Sequence, residues 1–341
     1  MLVLRRGTVV EAGPSGGPEQ SLVVDVPGRG RRAAVADVAL VGECRAGDEV
    51  VVNTQAADLA LGSGGFDIVH VNLTCGLDGE GVPGAHVMKL NYSSLQHAVL
   101  PVEGRALAAP LRRPVAVVSL HGQLAPLAWA LAAARPAARL GYVQAAGGAL
   151  PGGHSRVVRE LRERGLLAGF ITAGPAYGGE LEAVTTAGAI QHGLAELDWD
   201  AAVCGPGPGI LGSASALGHG GMGALDAAHT ALALGCEVVV CPRMSSGDPR
   251  ARHRGLSHHT RTVLDLLLAA VTVAAPCGEG AVIPGGAAGH RVREAAADLA
   301  GYAASGLPAR TMGRGIGEDP LFFAAALAAG TVLGEMIGEA D

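Results

Sequence analysis

The sequence predicts an α/β protein: a doubly wound, mostly parallel, Rossmann-like sheet preceded by a small antiparallel β-barrel-like domain. Three observations carry that prediction. The first hundred residues are short Val-rich runs separated by Gly/Pro turns, and the remainder alternates apolar runs of strand length with helical periods. The chain has 341 residues, 49% of them hydrophobic, which is enough to fill a sizeable core. Aromatic residues make up only 3%, so that core must be packed from Ala, Val and Leu.

Leu2 to Val10, Leu22 to Val26, Ala33 to Val41, Glu49 to Asn53 and Phe66 to Leu73 read as five strands, broken by turn signals such as Gly13-Pro14-Ser15-Gly16 and Pro27-Gly28-Arg29-Gly30. Five short strands at this spacing suggest a barrel or curled sheet in a domain of residues 1–105, able to bind a ligand or simply to cap the larger domain, 106–341. There, apolar strands are expected at Val115 to Leu120, Leu140 to Gln144, Leu167 to Thr172, Ala201 to Cys204, Glu237 to Cys241 and Ala270 to Ala274. Helices are expected at Ala125 to Ala134, Ser155 to Arg164, Glu180 to Leu197, Ala224 to Leu234, Ser257 to about Leu268, Val292 to Ala303 and Leu321 to Met336. Strands that are apolar throughout, alternating with helices, indicate a parallel sheet covered on both faces.

A net charge of −6 excludes a general nucleic-acid or anionic-membrane binder, which would need a basic face. The six cysteines form no CxxC pair, which suits a reduced cytoplasm rather than a disulfide framework or zinc ribbon. Met1 to Arg6 lacks the apolar core of a signal peptide, and the runs Leu266 to Pro276 and Leu321 to Leu333 are read as too short to cross a bilayer. The expectation is a cytoplasmic protein.

Ligands of open α/β sheets bind beyond the carboxyl ends of the strands, so the segments there are the candidates. Gly207-Pro208-Gly209-Ile210-Leu211-Gly212 is formally a GxGxxG after a strand. Two neighbouring prolines remove backbone donors and no helix starts at once, so an anion contact or a rigid turn is the better reading than a dinucleotide site. His219 stands between glycines just before a helix, free to meet a ligand or to brace its loop.

The richest stretch is Asp248-Pro249-Arg250-Ala251-Arg252-His253-Arg254-Gly255-Leu256-Ser257-His258-His259-Thr260-Arg261. From Arg243 to Arg261 five arginines face one acid, and Ser257 caps the helix that follows. Arginines near a helix N-terminus oppose its dipole, so a phosphate or carboxylate would relieve them. His219, His253 and His258, with Asp248 or Asp226, could alternatively take a divalent metal. Adjacent His258 and His259 on a helix diverge by about 100°, which opposes both serving one ion. Lys89 is the only lysine among 25 basic residues, a position where arginine's planar fork could not replace a compact ammonium, or one retained by chance.

Five motifs together, His86-x-Met88-Lys89-Leu90-x-Tyr92, Gly205-x-Gly207-Pro208-Gly209, Leu217-Gly218-His219, Asp248-Pro249-Arg250 through Thr260, and Gly313-Arg314-Gly315-x-x-Glu318-Asp319-Pro320, resemble the bacterial family catalogued as domain of unknown function 3866. The resemblance runs nearly end to end and implies that the five belong to one constellation. It implies no activity. In the last motif Asp319 suits a helix N-cap and Pro320 the first helical position, leaving Glu318 as base or ligand.

The expectation is an enzyme acting on a small anionic, phosphorylated or carboxylated metabolite. Lys89, His253, His258, His259 and Glu318 are the catalytic candidates. The ligand-binding candidates are His86, Tyr92, Gly205, Gly207, Gly209, His219, Arg250, Arg252, Arg254, Ser257, Thr260 and Arg314. No GxSxG elbow supports a serine hydrolase. A metal-dependent hydrolase and a non-catalytic sensing module are the alternatives, and a homodimer is a reasonable expectation for an enzyme of this size.

Overall fold

The computed structural model describes residues 1–61, 65–77 and 79–340. The chain divides into two units, Met1–Leu100 and Pro101–Asp341. Pro101 bridges Glu182, and Val102 N–H donates to the Glu182 carbonyl at 2.8 Å, so the segment just after residue 100 belongs to the second unit.

In the first unit, strands β1 (Leu4–Ala12), β2 (Glu19–Val26), β3 (Gly30–Asp37), β4 (Glu49–Asn53) and β5 (Asp67–Asn72) close into a barrel of order β1-β2-β3-β5-β4. β3 and β5 run parallel and the other pairs antiparallel, a Greek-key arrangement of the OB type. Alternation fills it: Gln20, Leu22, Val24 and Val26 of β2 point inward. The third strand ends before the expected Val41, because the Asp37 carboxylate accepts from Ala39 N–H and opens the one-turn helix α1 (Val38–Val41). A second short helix, α2 (Gln55–Asp58), and a hairpin of β6 (Val87–Lys89) and β7 (His97–Val99) were not expected from the sequence.

The second unit runs β8 (Pro114–Val118), α3 (Leu124–Ala134), β9 (Leu140–Ala145), α4 (Arg156–Glu163), β10 (Gly169–Ala173), β11 (Leu181–Ala183), α5 (Thr186–Gln191), β12 (Ala201–Pro206), α6 (Gly223–Ala233) and β13 (Glu237–Cys241). Then follow β14 (Met244–Ser245), β15 (Gly255–Leu256), α7 (His258–Leu266), β16 (Thr272–Pro276), β17 (Arg291–Ala295), α8 (Leu299–Ala304), β18 (Arg310–Thr311), β19 (Arg314–Gly315) and α9 (Pro320–Ala340). Eight strands form one parallel sheet of order β11-β10-β9-β12-β8-β13-β16-β17. In β8, Val115 and Val117 enter a core with α5, α6 and α7, while Ala116 and Val118 enter another with α3, α4, α8 and α9. That two-sided burial is why the strands read as unbroken apolar runs.

Two expected helices begin as strands. Leu181–Ala183 pairs in parallel with β10 as an edge strand; the β-branched Val184-Thr185-Thr186 follows, and Thr185 caps α5 by accepting from Gly188 N–H. Arg291–Ala295 pairs with β16 at the other edge, and the helix starts only after Asp298, which accepts from Gly301 N–H. The final helix also differs from expectation: Pro320–Gly338 is long and apolar enough to cross a membrane by length and composition, yet 78% of its most apolar window is buried inside the protein. It packs along α3.

Candidate functional site

The carboxyl ends of a parallel sheet all lie on one edge. The strands flanking β8, namely β12 and β13, deliver to that edge the loop ending at His219 and the segment from Arg243 into α7. Ser257, extended at φ −62° and ψ 143°, accepts from His259 N–H at 3.2 Å and starts α7. Because His258 and His259 occupy the first helical positions, their rings lie 4.4 Å apart, tilted by 64°, rather than diverging as expected within a helix. His219 stacks on His259 with centroids 3.6 Å apart and planes 9° from parallel. His253 stands 5.0 Å from His258 and 4.9 Å from His259, its Nδ1 bonded to Ser257 Oγ at 2.7 Å. One ring nitrogen from each of His219, His258 and His259 lies within 4.8 Å of the others.

Arg243, at the end of β13, is the residue that sequence reasoning left off its list. Its side chain is only 3% exposed. Nη1 lies 3.2 Å from His259 Nδ1, Nη2 reaches Asp248 Oδ2 at 3.4 Å, and Nε has no partner among the described residues. Burial above all, then repulsion from Arg250, lowers its pKa to about 10, so it still carries its charge at neutral pH. Burial first, then the neighbouring charges, lowers His253 to about 3 and His259 to about 2 and moves His258 down as well, and burial lowers His219 against the opposing bond to the Ala216 carbonyl. The imidazoles are therefore neutral at physiological pH, suited to accept a proton or a hydrogen bond rather than to supply charge.

The carboxylates around this cluster are occupied. Asp248, fully buried, takes Arg250 through Nε at 2.9 Å and Nη2 at 2.8 Å, Arg243 at 3.4 Å and Arg314 at 3.3 Å. Those guanidiniums, Arg250 foremost, hold it well below the usual carboxylate range. As a metal-ligand candidate Asp248 is thus replaced by an arginine anchor, and Arg250 and Arg314 are engaged with it. The Asp319 carboxylate, just before α9, accepts from Ser245 Oγ at 2.6 Å, Ser246 N–H at 2.8 Å and Arg314 Nε at 3.0 Å, tying α9 to the β14 loop. Ser257 is the α7 cap, and Thr260 Oγ1 accepts from Arg243 N–H at 2.9 Å, holding the end of β13 on the helix.

Arg252 and Arg254 are exposed on the same loop, Arg254 donating to the Asp248 carbonyl at 3.0 Å. Glu318 is exposed and folds back to accept from Gly315 N–H at 2.6 Å. Asp226 instead lines a cavity of 230 Å³ with Gly147, Thr186 and Gly220, the residue after His219. The three candidate glycines each have an internal reason: a Cβ on Gly205 would lie 2.2 Å from Val118, one on Gly207 2.4 Å from the Ala149 carbonyl, and Gly209 has φ +69°. His86, Lys89 and Tyr92 belong to the first unit, around the β6 hairpin. Lys89 is buried, whereas His86 is exposed and Tyr92 is 98% exposed.

A family model described as "Protein of unknown function (DUF3866)" matches residues 33–330. A comparison with curated proteins finds no match. Among solved structures, the chain is similar to YjeQ from Thermotoga maritima at 14% identity over 65% of each chain, with a TM-score of 0.15, a likeness that carries no argument about fold or activity.

Proposed function

The chain belongs to the family described as protein of unknown function (DUF3866), as its five motifs indicated, and we propose that it is a cytoplasmic enzyme, a hydrolase or transferase, acting on a small phosphorylated or carboxylated metabolite. One observation carries the reading: a guanidinium that is 3% exposed keeps an unpartnered Nε beside four imidazoles. A buried donor without an acceptor costs about 1–3 kcal/mol, more when charged, and an oxyanion would remove that cost. Three guanidiniums, those of Arg243, Arg250 and Arg314, share two carboxylates, which leaves the cluster positive. Exposed Arg252 and Arg254 would draw an anion toward it.

In this reading Arg243 holds the anion, and His253, kept neutral by burial and 5.0 Å from His258, takes a proton from the attacking group. The test is thermal and calorimetric titration of the full chain with phosphorylated and carboxylated metabolites. Arg243→Gln should lose binding while keeping its fold, and His253→Gln should lose turnover but keep binding. Binding that survives Arg243→Gln would refute the anion assignment; binding without turnover of any bound metabolite would favour the sensing module.

A further inference from the structure

We infer that His219, His258 and His259 hold one divalent transition-metal ion of the zinc class inside the anion pocket. The ion site rests on the imidazoles alone; its coupling to an anion, argued below, rests on the proposed function. His219 Nδ1, His258 Nε2 and His259 Nε2 are buried nitrogens with no hydrogen-bond partner among the described residues. His219 Nε2 lies 2.9 Å from the Ala216 carbonyl, which can only accept, so Nε2 bears the proton and Nδ1 offers a lone pair. That backbone carbonyl is the kind of outer partner that orients a metal-ligating imidazole. At zinc–nitrogen bonds of about 2.05 Å, tetrahedral geometry sets ligand nitrogens roughly 3.3 Å apart. Nitrogens of the three rings lie up to 4.8 Å apart and His219 is stacked parallel on His259, so binding turns these two rings out of their stack as well as closing the set by about 1.5 Å. His253 is not a ligand in this arrangement; its Nδ1 is bonded to Ser257 Oγ.

Arg243 gives the site a second property. A guanidinium only donates, so its contact of 3.2 Å makes His259 Nδ1 the acceptor and places the proton on Nε2 while no ion is bound. An ion on Nε2 selects the other tautomer, with the proton on Nδ1 and no net proton release. Nη1 then faces a donor instead of an acceptor. It turns away and is freed as a donor to an oxyanion; because Nη1 lies on the side of the guanidinium opposite the Nε hydrogen, the two donate separately. The ion's charge is balanced by that same anion, so ion and anion strengthen each other's binding, reciprocally.

The experiment uses the full chain, stripped by chelator and dialysed, with zinc, cobalt and inorganic phosphate as probes. One ion per chain should bind, cobalt with the intense visible absorption of a tetrahedral site, and zinc should raise phosphate affinity about ten-fold. His219→Asn and His258→Asn should weaken zinc at least ~100-fold, the upper end of what loss of an outer partner costs. His258 is half-buried at the first helical position, so its variant gives the answer even if His219→Asn fails to fold. Arg243→Gln should keep zinc and lose phosphate. Absence of a stoichiometric ion, or full retention in the folded histidine variants, overturns the metal site. Zinc binding with unchanged phosphate affinity overturns the coupling, and zinc binding with no phosphate binding at all refutes the anion reading while the metal site stands.

Discussion

At the scale of single residues, the burial of polar groups decides what the chemistry can be. His121, after β8, is 9% exposed; its Nε2 meets Ser155 Oγ at 2.7 Å, and burial lowers its pKa to about 4. In the unfolded chain the same imidazole titrates near 6.5. Between those values the unfolded state binds the proton and the folded state does not, so stability is full above about pH 6.5 and falls as the pH drops toward 4. Urea unfolding should show about 2 kcal/mol less stability at pH 5 than at pH 7 from this residue, and His121→Gln should flatten that part of the profile. An unchanged slope in the variant would mean that His121 is not held neutral by burial. The sequence pointed to the Arg/His stretch because its composition is unusual. It could not single out Arg243, which precedes the run and differs from Arg250 or Arg252 only in being buried, a property of the packed sheet edge. Nor could it show that Asp248 and Asp319 are saturated by arginines and backbone amides contributed from elsewhere in the chain.

At the scale of elements, periodicity identified what is buried on both faces and failed where an edge strand carries charge. Arg291–Ala295 has a strand partner on one side only, and Leu181–Ala183 meets only the short bridge to Pro101 on its outer side, so their charged residues, half-buried Glu182 among them, mimic a helical pattern. The Ser257 cap was legible because an oxygen side chain before an apolar helix has few other roles. The approach of α9 to α3 was not legible: a Cβ on Gly330 would lie 2.2 Å from the Leu127 carbonyl oxygen. Gly330→Ala gains about 1 kcal/mol of helix propensity but must move backbone, at a cost of about 1–3 kcal/mol or more. The clash is with backbone, which cannot rotate away, so the cost lies at the upper end and a net loss of about 2 kcal/mol is expected in urea unfolding. A variant as stable as the parent would show that the helices do not pack so closely.

At the scale of the whole molecule, the division into a barrel and a parallel sheet was readable because the two halves follow different periods, and because length and composition leave room for two cores. The site was readable only as a region. It is assembled from loops after β12 and β13, distant in sequence and brought to one edge by the crossing of the chain over β8. The central claim is that this edge carries a built oxyanion site centred on Arg243. Native mass spectrometry of the full chain, purified without chelator, tests it most directly. The account predicts a co-purified mass of a phosphorylated or carboxylated metabolite in the wild-type protein that is missing from folded Arg243→Gln. The same bound mass in both proteins, or exchange with phosphate that Arg243→Gln does not impair, would contradict it.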